Sequence, residues 1–181
     1  MNFYISDLHI GHENILSIDE RPFENLEEMS DTIRENWNST VSNDDTVYVL
    51  GDIAFKGFDF VPYYNSLNGK KILITGNHDL SLDREDLKKV FDRIAPMMTI
   101  RDGEKRVQLC HYPIQFYNGA ESFENCMLFG HVHGGFVGNM VEAVRDLILK
   151  LDMREVKANR AQFYNVGCML PYMNYTPKTL E

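Results

Sequence analysis

Thr46-Val47-Tyr48-Val49-Leu50-Gly51-Asp52-Ile53 is the stretch whose reading decides the fold. Its apolar and β-branched start has the composition of a short buried strand. Gly51 lets the backbone turn sharply where that strand stops. Asp52 then projects from the strand's carboxyl end, where open α/β sheets keep their ligand sites. Four other strand-like runs end the same way. Residues 2–6 lead into Asp7-Leu8-His9-Ile10-Gly11-His12, and residues 71–75 into Gly76-Asn77-His78-Asp79. Residues 105–110 lead into His111, and residues 126–129 into Gly130-His131-Val132-His133.

Between these strands the spacing turns helical. Leu26, Met29, Ile33 and Trp37 make one apolar face over 25–40. Residues 58–67 read as a short helix or irregular turn with Pro62 in its first turn. A helix is expected over 83–94, capped by Ser81 or Asp83, with Leu87, Val90, Phe91 and Ile94 inside. Asp102-Gly103 between two short runs predicts a hairpin. Residues 113–125 read as an open loop. A last helix is expected over 139–153, its apolar face free to pack on its own core or a partner, with Glu142, Arg145, Asp146 and Lys150 outside. A last strand is expected near 163–166. Strand and helix alternate, so the fold class is α/β.

At 181 residues one domain over 1–181 is expected, long enough to bury a substantial core. A formal charge of −9 argues against an extended nucleic-acid surface but leaves room for a small phosphorylated substrate. No apolar run is long enough to span a bilayer. The N-terminus lacks a basic n-region, so no signal peptide is expected. Cys110, Cys126 and Cys168 form no CxxC pair and are read as reduced thiols of a cytoplasmic protein, which also argues against a zinc-structured module.

All six histidines follow strand-like runs and none falls in a predicted helix. One histidine is more often a core or surface residue than a ligand. Six at strand ends, beside Asp7, Asp52 and Asn77, are not explained that way. The ordered set Asp-x-His, Gly-Asp, Gly-Asn-His-Asp, His and Gly-His-x-His resembles that of the calcineurin-like metallophosphoesterases, from Asp7 to His133. The surroundings Gly11-His12-Glu13-Asn14-Ile15, Arg21-Pro22-Phe23 and Trp37 resemble a compact bacterial and phage branch.

That resemblance implies two packed mixed β-sheets flanked by helices, in four layers. It implies two divalent ions, with Mn expected first and Fe, Zn or Ni as alternatives; the oxygen and nitrogen ligands by themselves do not separate the four. Asp7, His9 and His133 would hold one ion. Asn77, His111 and His131 would hold the other, with Asp52 bridging through one oxygen to each. A bridging hydroxide would attack a phosphomonoester or phosphodiester, and His78 would serve the leaving group. A non-hydrolytic scaffold with the same fold is the alternative. Asp79 is read as orienting the imidazole of His78 and favouring its protonated form. His12 is read as a supporting or structural residue. Arg21 is read either as a clamp on substrate phosphate or as a salt bridge at the helix entrance.

Overall fold

The computed structural model describes residues 1–152 and 161–180. Two four-stranded sheets carry the site. The first runs in the order β1 (Asn2–Ile5), β2 (Thr46–Val49), β3 (Lys70–Ile74), β4 (Arg93–Ala95). All three of its pairings are parallel. The second runs β5 (Met97–Asp102), β6 (Lys105–Cys110), β7 (Cys126–Phe129), β8 (Gln162–Asn165), and only its β5–β6 pair is antiparallel. So the second sheet is mixed, as expected, and the first is not. One apolar cluster holds residues of both sheets, from Phe3, Val47 and Leu73 to Val107, Leu109 and Leu128.

Parallel strands buried on both faces need helices to connect them. α1 (Ile15–Ile18) and α2 (Leu26–Thr40) join β1 to β2, and α3 (Val61–Asn65) joins β2 to β3. Asn25 caps α2 by accepting the Glu28 N–H, and Met29, Ile33 and Trp37 are buried as their spacing required. Pro62 lies in the first turn of α3. The hairpin turns at Gly103 with Asp102 opposite Lys105.

Two helices differ from expectation. α4 covers only Arg84–Val90, capped by Asp83. Phe91 is already extended, and Arg93–Ala95 pairs beside Ile72–Ile74 as β4. Tertiary pairing accounts for the early stop: Phe91 is buried against Tyr64, and the residues after it are taken up as an edge strand beside β3, while Pro96 constrains only Ala95. α5 (Gly135–Asp152) starts four residues before the expected 139, and residue 153 of the expected span lies outside the described residues. Val141 packs on a smaller cluster with Met127, Phe129 and Val132, while Met140, Val144 and Leu147 stay exposed. Arg145, expected outside, is buried and donates to the Ala161 carbonyl, with its guanidinium over the Phe163 ring. No helix among the described residues is long and apolar enough to cross a membrane. Cys110, Cys126 and Cys168 are free and buried.

Candidate metal centre

The parallel sheet brings the ends of β1, β2 and β3 side by side, and the loops that leave them are tied together. Asp7 N–H donates to Gly51 O at 3.1 Å, His9 N–H to Asp52 O at 2.9 Å, and Ile10 N–H to Ile53 O at 3.1 Å. Gly51 sits at φ +90°, and a side chain there would run into the backbone of Gly76 and the ring of His111. A Cβ on Gly130 would collide with Ser6 Oγ and the Asp7 carboxylate, so the end of β7 closes directly onto the end of β1.

The backbone itself marks the site. Among the described residues eight non-glycines have positive φ. Five of them are predicted ligands: Asp7 (59°), His9 (51°), Asp52 (54°), His131 (68°) and His133 (47°). Such a conformation costs about 1–3 kcal/mol per residue and persists where surrounding structure enforces it. Here it turns each side chain off the strand direction into one shared space.

Two groups of donors result. Asp7, His9 and His133 form one; Asp52, His111 and His131 form the other; a third set, His9, Asp52 and His78, overlaps both and brings His78 within ligand distance as well. His9 Nε2 lies 3.3 Å from His133 Nε2, and His133 Nε2 lies 3.4 Å from Asp7 Oδ1. His111 Nε2 lies 3.2 Å from Asn77 Oδ1 and 3.5 Å from Asp52 Oδ2, while the same Oδ2 is 3.7 Å from His9 Nε2. Two nitrogens each about 2.0–2.1 Å from one ion stand roughly 3.0–3.4 Å apart at tetrahedral or octahedral angles. The donor spacing therefore fits divalent cations, and the absence of thiolate fits oxygen- and nitrogen-binding metals. The Asp52 carboxylate differs from expectation in detail. Oδ1 accepts the His78 N–H at 2.9 Å, which leaves Oδ2 as the oxygen facing both groups.

Supporting hydrogen bonds aim the rings. His111 Nδ1–H donates to Leu50 O at 2.6 Å, so its Nε2 lone pair faces the centre. His133 Nδ1 meets Asp19 Oδ1 at 2.6 Å, and Asn165 Nδ2–H donates to the His133 carbonyl at 3.0 Å. Burial pushes His9 down to about 3. Burial opposes protonation of His133 too, but its bonds to Asp19 and Asp7 overcome this and raise it to about 9. Burial would raise Asp52, but His111 outweighs it and holds the carboxyl down to about 2. In the metal-free centre, His9 thus presents a free lone pair while His133 carries a proton that a cation would displace.

One sequence expectation needs correction and one open alternative is resolved. Asp79 does not orient the His78 ring. Its carboxylate accepts the N–H groups of Asp52 (3.0 Å), Ile53 (2.9 Å) and Gly76 (2.7 Å), pinning the turns after β2 and β3 to each other. Burial raises its pKa against those donors. Arg21 is no phosphate clamp. It is buried and donates to Asp7 O (2.8 Å), Leu8 O (3.1 Å) and the Asp19 carboxylate (2.8 Å). That is the salt-bridge reading, moved from the helix entrance to beneath the centre. His12 lies on the rim, its ring stacked on Phe55.

Asp19 went unrecognised in the sequence. It follows no strand, and its partner His133 is 114 positions away, so no local pattern marks it. Of the remaining predicted residues, His78 is half-buried at the mouth, its ring 4.9 Å from that of His9. Asn77 and His131 are exposed on the opposite side, where His131 packs against Tyr112 at 4.7 Å.

Comparison with known proteins agrees with this geometry. The family model for calcineurin-like phosphoesterases matches residues 3–150. An uncharacterised protein of Methanocaldococcus jannaschii is 42% identical over 80 residues, 42% of this chain and 46% of that protein, so the match spans less than half of that relative. The gene 66 protein of Mycobacterium phage L5 is 30% identical over 75% of this chain and 78% of its own length. Among solved structures, a protein of unknown function from Aquifex aeolicus, AQ665, has a TM-score of 0.74 at 27% identity, covering 98% of this chain and 94% of that one.

Proposed function

The chain belongs to the calcineurin-like phosphoesterase family, and from that premise we propose that it hydrolyses small phosphate monoesters or diesters at a centre of two divalent ions. The observation that carries this reading is the single oxygen, Asp52 Oδ2, shared between two donor sets of matching spacing. When bound, two such ions screen the negative oxygens of a phosphate ester and lower the pKa of a shared water.

The chain's own residues do the rest. Asp7, His9 and His133 would hold one ion, Asn77, His111 and His131 the other, with Asp52 between them. A neutral amide at Asn77 and four imidazoles keep the loaded centre positive enough to attract phosphate. Asp52 Oδ1 stays on the His78 N–H, fixing Oδ2 toward the ions and His78 toward the mouth. There the imidazole of His78 can give a proton to the departing oxygen. The mixed oxygen and nitrogen donors admit manganese, iron, zinc or nickel; manganese is the first metal to test. Three buried free thiols fit a reducing compartment such as the cytoplasm.

The test is hydrolysis of bis(p-nitrophenyl) phosphate and p-nitrophenyl phosphate by chelator-stripped protein given back Mn²⁺, Zn²⁺ or Ni²⁺. Activity should return with metal. Asp52→Asn should lose more than the roughly 10–100-fold that removal of a merely supporting residue costs. A folded protein that binds two ions and cleaves neither ester would instead favour the non-hydrolytic scaffold.

A further inference from the structure

Resting on the phosphoesterase reading, we propose that Phe55, backed by His12, is a docking face for a planar group of the substrate. The substrate class would then be nucleotides, or other esters bearing a base-like ring, in preference to sugar or alkyl phosphates.

A single exposed phenylalanine is ordinary. What sets Phe55 apart is its place and its preparation. Its ring lies 4.3 Å from that of His12, centroid to centroid, with only 10° between the planes, so a parallel stack already exists. The residue still exposes 39% of its surface. The backbone beneath is held, because Phe55 N–H donates to Ile10 O at 2.9 Å and Ala54 bridges Ile10. That holds Phe55 on the same loop pair that supplies His9 and Asp52. The predicted ligand His9 has the ring of His78 4.9 Å away and that of His12 5.4 Å away, and the ring of Phe55 lies 6.3 Å from that of His78. A molecule whose phosphate sits at the ions therefore reaches Phe55 across one side chain, a span that suits the sugar of a nucleotide.

The chemistry selects the occupant. Offset stacking on an aromatic face is favourable for any flat π-system and indifferent to which base it is. The ring of Phe55 itself carries no donor or acceptor for a bare sugar hydroxyl or a second phosphate; behind it in the stack, His12 Nδ1 is buried and has no hydrogen-bond partner among the described residues. The formal charge of −9 disfavours a long polyanion. A mononucleotide or a short nucleotide ester meets both conditions.

The experiment is calorimetric binding of AMP and of ribose 5-phosphate, each as its non-hydrolysable methylene-phosphonate analogue, to Mn²⁺-loaded protein, with bis(p-nitrophenyl) phosphate hydrolysis followed on the same samples. AMP should bind about tenfold more tightly than ribose 5-phosphate, a typical worth for one stacked base. Phe55→Ala should erase the ratio and Phe55→Trp should keep it; reading the ratio within each variant cancels any general loss. Phe55→Leu, which preserves bulk without a π-face, should behave like alanine and guards against a folding defect in the smaller variant. Equal affinities in the parent protein, or an unchanged ratio in Phe55→Ala and Phe55→Leu, would overturn the proposal even if the ester is cleaved. Discrimination that depends on Phe55 in a protein that cleaves no ester would uphold the docking face and remove the phosphoesterase reading instead.

Discussion

The two sheets contribute unlike halves to one centre. The parallel sheet supplies both carboxylates, Asp7 and Asp52, at 0% and 2% exposure. The mixed sheet supplies only imidazoles, of which His111 is buried while His133 is half-buried and His131 exposed. Buried anions are tolerated only where donors or cations compensate them. The donors come from both halves: His78 N–H, after β3, donates to Asp52, while His131 N–H, after β7 of the mixed sheet, donates to Asp7 at 3.1 Å. The mixed-sheet half is neutral when deprotonated and can stand at the mouth. The contrast teaches that the deep half is a folding unit as much as a binding site, whereas the outer half is tuned by single contacts.

Asp79 is where that contrast breaks most visibly. Asp79→Ala leaves the N–H groups of Asp52, Ile53 and Gly76 buried without an acceptor. Each such orphan costs about 1–3 kcal/mol, so a loss of at least about 3 kcal/mol in unfolding free energy is expected. Urea unfolding should show it as a lower midpoint at unchanged slope. Asp79→Asn keeps one acceptor oxygen and should fall between. A stability equal to the parent's in Asp79→Ala would mean that the turns after β2 and β3 hold themselves.

Asp19 probes the outer half. Asp19→Asn keeps the shape but loses the carboxylate that faces His133 Nδ1 and the buried Arg21. Loss of such a supporting carboxylate typically lowers metal affinity 10–100-fold. The effect should be selective: Asp19 touches only His133 of the ligands, so the ion held by Asp7, His9 and His133 should weaken while the other binds as before. A two-step metal titration reads this directly. Equal weakening of both steps would show that the halves are not separable.

Much of the first half was legible in the chain because glycine followed by a polar residue after an apolar run is a local signal. Gly51-Asp52 and Gly76-Asn77 carry their meaning within two residues. The hairpin at Asp102-Gly103 and the stripe Met29, Ile33, Trp37 are equally local. What escaped depends on contacts between distant residues. Asp79 looked like the partner of its neighbour His78, but the short helical turn over Asp79–Ser81 points its carboxylate back at residues 26 and 27 positions earlier. Asp19 and Arg21 lie in an irregular segment whose role appears only when the chain brings His133 and Asp7 to it. The helix expected to run to 94 had no local warning, because Ile94 fits both the helical period and a strand, and periodicity cannot separate the two.

The smallest expected effect separates the halves by protons. In the metal-free centre His133 is raised from its ordinary 6.5 to about 9 and His9 is lowered to about 3. Because His133 is raised, its protonated form stabilises the metal-free protein fully below about pH 6.5, and that contribution is lost as pH rises through about 9. His9 is lowered, so it is neutral throughout this window. A cation entering beside them at pH 7 must displace the His133 proton and none from His9. Apparent affinity for the ion held by Asp7, His9 and His133 should therefore rise by up to about tenfold per pH unit toward pH 9 and then level off. Calorimetry in two buffers of different ionisation enthalpy should report about one proton released for that ion at pH 7. The ion on Asn77, His111 and His131 provides the internal comparison, since there burial lowers His131 while bonding to Asp52 outweighs burial and raises His111. Zero release at the first ion would show that Asp19 orients His133 without holding its proton, which would reduce the difference between the halves to geometry alone.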